Sequence, residues 1–259
     1  SGRAQVKFAA PRLEQRLVGT IADQRMGELD TAVADLKASG AEVIGVPTDV
    51  SKADRIEALA DAAYDRFGAV NVLCNNAGVV KRGRMWEQSL ADWEWVIGVD
   101  LWSVIYGART FIPRMIAGGQ PGYIVNTAST AGLAAFPGIA SYDVAKSGVV
   151  ALSEALWHEL RQAGAPIGVS VLCPGLVATR IGDSERNRPG VSATTKGAPV
   201  SMRDPGAVAM TPEDCAKYVA DAIEAEQFWM ITHPAYDEFI RARLQGMLNR
   251  RDVIEPRPI

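Results

Sequence analysis

Three side chains in the stretch "ASTAGLAAFPGIASYDVAK" (128–146) have the chemistry to work on one small molecule: the hydroxyl of Ser129, the phenol of Tyr142 and the amine of Lys146. Tyr142 and Lys146 are four residues apart, so on a helix they share a face. A free phenol ionises near ~10 and is a poor base at neutral pH. An ammonium beside it favours phenolate and lowers that value. Such a pair can take a proton from an alcohol or give one to a carbonyl. Ser129, at the end of an expected strand, can hold the substrate oxygen against the phenol. Hydrogen bonds that strengthen as charge develops are a large source of rate. A lone Tyr-x-x-x-Lys also arises by chance in helices, so its surroundings decide what it means.

The elements that must carry these groups alternate between two periods. Short apolar runs at 41–50, 69–78, 122–129, 167–175 and 228–231 read as strands. Between them, 52–68, 92–116, 143–163, 212–225 and a stretch within 236–249 repeat apolar residues at helical spacing, with a distortion expected near Gly98 and Pro113. Strands that are apolar on both faces are those covered by helices on both sides. The alternation predicts an α/β fold with a Rossmann-like, doubly wound, mostly parallel sheet. With 259 residues, 48% of them hydrophobic, the chain can build one substantial core, and residues 1–259 read as a single domain. Residues 180–211, rich in Gly, Pro, Ser and charge, break the rhythm after Pro174-Gly175. Ligands bind at the carboxyl ends of strands in open sheets, so this segment is expected to be a substrate lid.

With these elements in place, the motifs resemble the short-chain dehydrogenase/reductase family over about residues 17–235. "NNAG" (75–78) matches a motif that stabilises the sheet and lines the adenine side, through Asn76, Ala77 and Gly78. "NTAS" ends in Ser129, and "YDVAK" supplies Tyr142 and Lys146. "PGLVAT" carries Pro174, Gly175 and Thr179, which by this resemblance border the nicotinamide, its carboxamide and the pyrophosphate. Asp49-Val50 looks like the pair beside the adenine. Asp23, after the apolar "LVGTIA", resembles the acid that accepts both adenosine ribose hydroxyls and repels a 2′-phosphate, which points to NAD rather than NADP. It could equally cap the following helix, and both roles can coexist. The resemblance implies Tyr142 as general acid/base, Lys146 on the nicotinamide ribose and Ser129 orienting a small-molecule alcohol or carbonyl substrate. It also implies a homodimer or homotetramer built partly from the helices at 92–116 and 143–163.

Two departures stand against this match. Only 22 residues precede Asp23, and their two glycines, Gly2 and Gly19, form no glycine-rich turn of the kind that brings backbone amides to a pyrophosphate. "AQVKFA" (4–9) and "RLVGTIA" (16–22) both read as strands, yet the six residues between them are too few for a parallel crossover. The usual first strand and glycine turn are thus expected to be absent or replaced, leaving a gap beside the strand that ends at Asn75. A divergent chain without the dinucleotide, a cofactor held without the cradle, and an altered N-terminus each fit. The second departure is Asp100, which stands where the family usually has a catalytic asparagine. A carboxylate accepts hydrogen bonds but cannot donate, and its charge would oppose the pull of Lys146 on Tyr142.

Other residues set bounds. A formal net charge of −3 argues against broad nucleic-acid binding, and no run of 18 apolar residues suggests a membrane span. The apolar runs around Cys74 and Cys173 predict buried free thiols, and with no secretory apolar stretch at the N-terminus a cytoplasmic protein is expected. The two histidines, His158 and His233, lack partners at metal-ligand spacing, so no metal is expected. His233, in "ITHPAY", lies near the end of the last strand and could reach the site from the C-terminal side. Trp86, Trp93, Trp95 and Trp102 suit a subunit interface better than an aromatic pocket. The leading expectation is an NAD-dependent oxidoreductase interconverting a hydrophobic secondary alcohol and its ketone. A cofactor-independent lyase, dehydratase or isomerase on the same fold is the alternative, and a catalytically silent homologue is a third.

Overall fold

Apolar strands with helices between them can pair only in parallel, because each connection must cross the sheet face, and every strand pairing in the computed structural model is parallel. It describes residues 18–188, 209–251 and 253. In chain order the elements are β1 (Val18–Asp23), α1 (Met26–Ala38), β2 (Glu42–Pro47), α2 (Ala53–Phe67), β3 (Val72–Asn75) and α3 (Leu90–Ile97). A π turn at Gly98–Trp102 leads into α4 (Ser103–Gly118), followed by β4 (Gly122–Thr127), the single-turn α5 (Thr130–Leu133), α6 (Ala140–Gln162) and β5 (Ile167–Cys173). A 3-10 segment (Ile181–Asn187), α7 (Pro212–Glu224), β6 (Trp229–Ile231) and α8 (Asp237–Leu248) complete the order.

Alternation along β4 shows how the layers form. Ile124 points into a core shared with Ile56 and Ala60 of α2, Phe111 and Met115 of α4, and Leu156 and Leu160 of α6. Tyr123 and Val125 point the other way, onto Ala222 and Ile223 of α7 and Met230 of β6. The doubly wound expectation holds. The long helix expected over 92–116 is instead two helices joined by the π turn, an irregularity frequent at functional sites. Pro113 lies inside α4 without ending it.

The sheet is divided. Strands β1 and β2 form one pair, and β3-β4-β5-β6 form a second sheet, with no pairing between β1 and β3 among the described residues. The sequence expects a gap at this position. "AQVKFA" and the rest of 1–17 lie outside the described residues. Cys74, at the outer edge of the four-stranded sheet, is exposed, which corrects the expectation of a buried thiol there; crowding at that opening still pushes the thiol up by desolvation. Cys173, in the middle of the sheet, is buried as expected.

A buried polar chain ties the second sheet to α6. Asn75 Nδ2 donates to Asn126 Oδ1 at 2.9 Å, Asn126 Nδ2 donates to Ser153 Oγ at 3.0 Å, and Ser153 donates to the Val149 carbonyl at 2.7 Å. Gly107 makes room for it, since a Cβ there would stand 2.3 Å from Asn75 Oδ1. Asn126 is fully buried, so Asn126→Ala should leave the Asn75 amide without its partner, while Ser153 keeps the Val149 carbonyl, and lower stability by about 2 kcal/mol, at roughly 1–3 kcal/mol per unsatisfied group. Urea unfolding at unchanged m-value would register this as a lower midpoint.

Candidate functional site

Strand register puts the relevant residues on one carboxyl edge. Asp23 pairs with Pro47, Asn75 with Asn126, and Cys173 with Ile231. From this edge rise the turn after β3 (Asn76–Val79), the turn after β4 (Ala128–Ser129) and the turn after β5 (Pro174–Thr179). The first turns of α6 bring Tyr142 and Lys146 over the same edge.

The four residues proposed from sequence as catalytic come together. The Ser129 hydroxyl lies beside the Tyr142 phenol, whose ionised form it favours, and accepts the Ala131 amide at 3.1 Å. Lys146 Nζ lies 5.5 Å from the centre of the Tyr142 ring and donates to the Thr127 carbonyl at 2.9 Å. Its side chain is 2% exposed and pairs at 3.5 Å with Asp100, which is wholly buried. The π turn aims Asp100 inward, where Oδ1 accepts the Val79 amide at 2.8 Å and Oδ2 has no hydrogen-bond partner. Gly78 borders this pair, and a Cβ there would stand 3.6 Å from Lys146 Nζ.

The electrostatics differ from the sequence expectation. The Tyr142 phenol is pushed up, first by burial and then by the Asp100 carboxylate; the Ser129 hydroxyl pulls it down, and Asp143 and Cys173 add to the rise. The idea that Lys146 makes this phenol acidic is therefore corrected: the ammonium faces a buried carboxylate and a carbonyl as well as the ring. Asp100 is itself pushed up to about 6 by burial, held back by the Lys146 ammonium and the Val79 amide. Asp143, whose Oδ2 accepts the Phe136 amide at 3.2 Å, is pushed up to about 7 by burial.

The cofactor-side residues occupy the same edge with different degrees of freedom. Asp23 Oδ1 accepts the Arg25 amide at 2.8 Å in the turn before α1, whose N-cap is Arg25 with no side-chain cap, while its other oxygen has no partner among the described residues. Asp49 is committed locally, accepting the Ser51 amide at 3.0 Å and hydroxyl at 2.7 Å, and its neighbour Val50 packs into the core. Asn76 Oδ1 accepts the Thr127 hydroxyl at 3.0 Å, and Ala77 is exposed. The Pro174 carbonyl accepts the Thr130 amide at 3.0 Å, and Thr179 is exposed. A nicotinamide dinucleotide fits these groups at its two ends: an acidic residue with a free oxygen at the end of β1, and an amine beside a phenol and a hydroxyl. The loop joining β1 to α1, Gln24-Arg25, has no glycine, and the chain before Val18 lies outside the described residues.

Sequence reasoning missed three contacts. The Val79 amide and the Thr127 carbonyl are backbone groups that no side-chain pattern reveals. His233 reaches the turn after β5 rather than the reacting groups, with Nδ1 3.2 Å from the Gly175 amide. Of the expected lid, 189–208 lie outside the described residues. Its two roots meet, since Ala178 donates to the Met210 carbonyl at 2.9 Å and Met210 to the Leu176 carbonyl at 3.0 Å. The 3-10 segment is pinned beside the site: Val80 donates its amide to Ser184 Oγ at 3.1 Å, and Lys81 pairs with Glu185 at 2.6 Å. The four tryptophans form no ring pair with one another among the described residues; Trp102 stacks on Tyr106, and Trp86 is exposed. Among the described residues no cluster of His, Cys, Asp or Glu could hold a metal, and no helix is long and apolar enough to cross a membrane.

Comparison with known proteins gives a consistent picture. The family model described as short chain dehydrogenase matches residues 11–190. A CLA biosynthesis dehydrogenase/reductase of Lactiplantibacillus plantarum is 33% identical over 223 residues, covering 81% of this chain and 77% of the relative. A C alpha-dehydrogenase of a Sphingobium species is 30% identical over 244 residues, covering 92% and 79%. A crystal structure of a short chain dehydrogenase/reductase from Burkholderia phymatum in complex with NAD superposes with a TM-score of 0.86 at 37% identity, covering 93% of this chain and 98% of that one.

Proposed function

The chain belongs to the short-chain dehydrogenase family and is an oxidoreductase, and from that premise we propose that it interconverts a hydrophobic secondary alcohol and its ketone with NAD. The observation that carries this reading is the meeting of Ser129, Tyr142 and Lys146 at one carboxyl edge with Asp23 and Asn76. Bound NAD supplies the hydride acceptor or donor. Tyr142 takes the alcohol proton on its phenol oxygen, or returns it to the carbonyl in reduction. Ser129 holds the same substrate oxygen and stabilises charge developing on it. Lys146 reaches the nicotinamide ribose, and Asp23 accepts the adenosine ribose hydroxyls. Asp49, Val50, Asn76, Ala77 and Gly78 line the adenine side and the floor, with Pro174, Gly175 and Thr179 along the nicotinamide.

Two further features support the substrate class and assembly. Phe136 of the turn before α6 packs on Tyr236 and Phe239 at the β6–α8 junction, with ring centres 6.4 and 5.6 Å apart, so the two turns flanking the site present aromatic surface. A homodimer or homotetramer uses the outer faces of the π turn, α4 and α6, where Trp102, Ile116 and Val144 are exposed.

Fluorescence titration with NADH and NADPH tests the reading. NADH should bind at least about 10-fold more tightly than NADPH, because the Asp23 carboxylate repels a 2′-phosphate, and Asp23→Ser should narrow that ratio. No NADH binding at millimolar concentration, or turnover that proceeds fully without nucleotide, would overturn it.

A further inference from the structure

We propose that His233 is a positioning residue of this site: its neutral imidazole, protonated on Nε2, staples the turn after β5 and through that turn holds Ser129 against Tyr142. The inference rests on the oxidoreductase reading for its kinetic consequence and on geometry alone for the staple.

Both ring nitrogens are engaged with backbone. Nδ1 lies 3.2 Å from the Gly175 amide, which can only donate, so Nδ1 must offer its lone pair. Nε2 lies 3.0 Å from the Leu176 carbonyl, which can only accept, so Nε2 must carry the proton. The two contacts select the same neutral tautomer, and the Thr232 hydroxyl, 2.6 Å from Nδ1, adds a second donor to that nitrogen. A proton on Nδ1 instead would face the Gly175 N–H, and an Nε2 lone pair would face the Leu176 carbonyl oxygen.

The staple leaves no slack. Tyr236 stands edge-on to the imidazole, with ring centres 6.2 Å apart. A Cβ at Gly175 would come within 2.6 Å of the Tyr236 ring and 2.8 Å of the His233 ring. The same turn is fastened on its other side, where the Pro174 carbonyl accepts the amide of Thr130, the residue after Ser129. Residues 174–176 therefore bridge the β6–α8 junction to the helical turn that presents the Ser129 hydroxyl. Loss of the imidazole frees the Gly175 amide and leaves the Leu176 carbonyl held by the Met210 amide alone, and a displacement of about 1 Å at a reacting group can cost roughly 100-fold in rate.

The test uses the full chain and needs no substrate for its first arm. Nitrogen-15 spectra of His233 should show a single neutral tautomer with Nδ1 bare and Nε2 protonated, and amide exchange at Gly175 should be slow. His233→Leu should accelerate that exchange and lower kcat by about 10- to 100-fold. His233→Gln, which keeps one acceptor and one donor, should fall between the two. An Nδ1-protonated or tautomer-averaged ring, or unchanged Gly175 exchange in His233→Leu, would overturn the staple. A native protein that shows the predicted tautomer but no dinucleotide binding would instead break the oxidoreductase reading and leave the staple standing.

Discussion

Tyr142→Phe should lower kcat for alcohol oxidation by roughly 100- to 10,000-fold, the range supplied by a positioned general acid or base. In the proposed reaction the phenol oxygen exchanges a proton with the substrate while also meeting the Ser129 hydroxyl. Phenylalanine keeps the ring beside Lys146 and Ala145 and deletes only that oxygen. NADH affinity should therefore change little, and thermal unfolding should shift by no more than a few degrees. Steady-state kinetics with a panel of apolar secondary alcohols measures the first effect, and cofactor titration measures the second. Tyr142→Phe with native turnover would remove Tyr142 from the chemistry and with it the proposed proton route.

How much of this was legible beforehand follows from which physical quantity each residue depends on. The nearness of Tyr142 and Lys146 was legible because a four-residue spacing fixes two side chains on one helical face. The position of Ser129 was legible because it lies just past a strand whose neighbours carry turns on the same edge, although the strand stops at Thr127 and not at Ser129. The sign of the shift on Tyr142 was not legible. Spacing fixes how near an ammonium is to a ring and says nothing of the other groups the ammonium meets. Asp100 was noted at the position of the family's asparagine, with a charge opposing the pull of Lys146, but its complete burial and inward aim depend on one π turn, which sequence periodicity marked only as a distortion near Gly98. The exposure of Cys74 was missed for a related reason. An apolar run predicts a strand, but not that one edge of it meets no partner among the described residues. His233 was noticed by position alone; its two backbone partners come from a segment 57 residues or more away.

Replacing Asp100 by asparagine should move the alkaline rise of alcohol oxidation to lower pH by about one unit and raise kcat/KM at pH 7 by roughly 10-fold. The carboxylate is wholly buried and pairs with Lys146 at 3.5 Å, so the two opposite charges largely cancel as seen from the phenol. Its own negative charge is also the second cause of the raised Tyr142 value, after burial. Asparagine can keep its oxygen on the Val79 amide, where Asp100 Oδ1 now accepts at 2.8 Å. The ammonium then faces Thr127 and the Tyr142 ring without a counter-charge, and phenolate becomes easier to form. The remaining neighbours that act on the phenol, Ser129, Asp143 and Cys173, are unchanged. Stability has its own sign. Asp100 ionises at about 6 in the fold against about 3.9 in an unfolded chain, so the folded state holds its proton more tightly. Ionisation of Asp100 therefore erodes stability as pH climbs from about 4 to about 6, and that slope should be absent in Asp100→Asn. Opposing it, Lys146 loses its buried partner, which lowers stability at every pH where the amine is charged. The two measurements separate these effects, because the kinetic shift reports the field at Tyr142 and the pH slope of unfolding reports the titration of Asp100. An unchanged pH–rate profile in Asp100→Asn would mean that the Asp100 charge does not reach the phenol, and that Lys146 serves as a ribose contact without tuning the proton transfer.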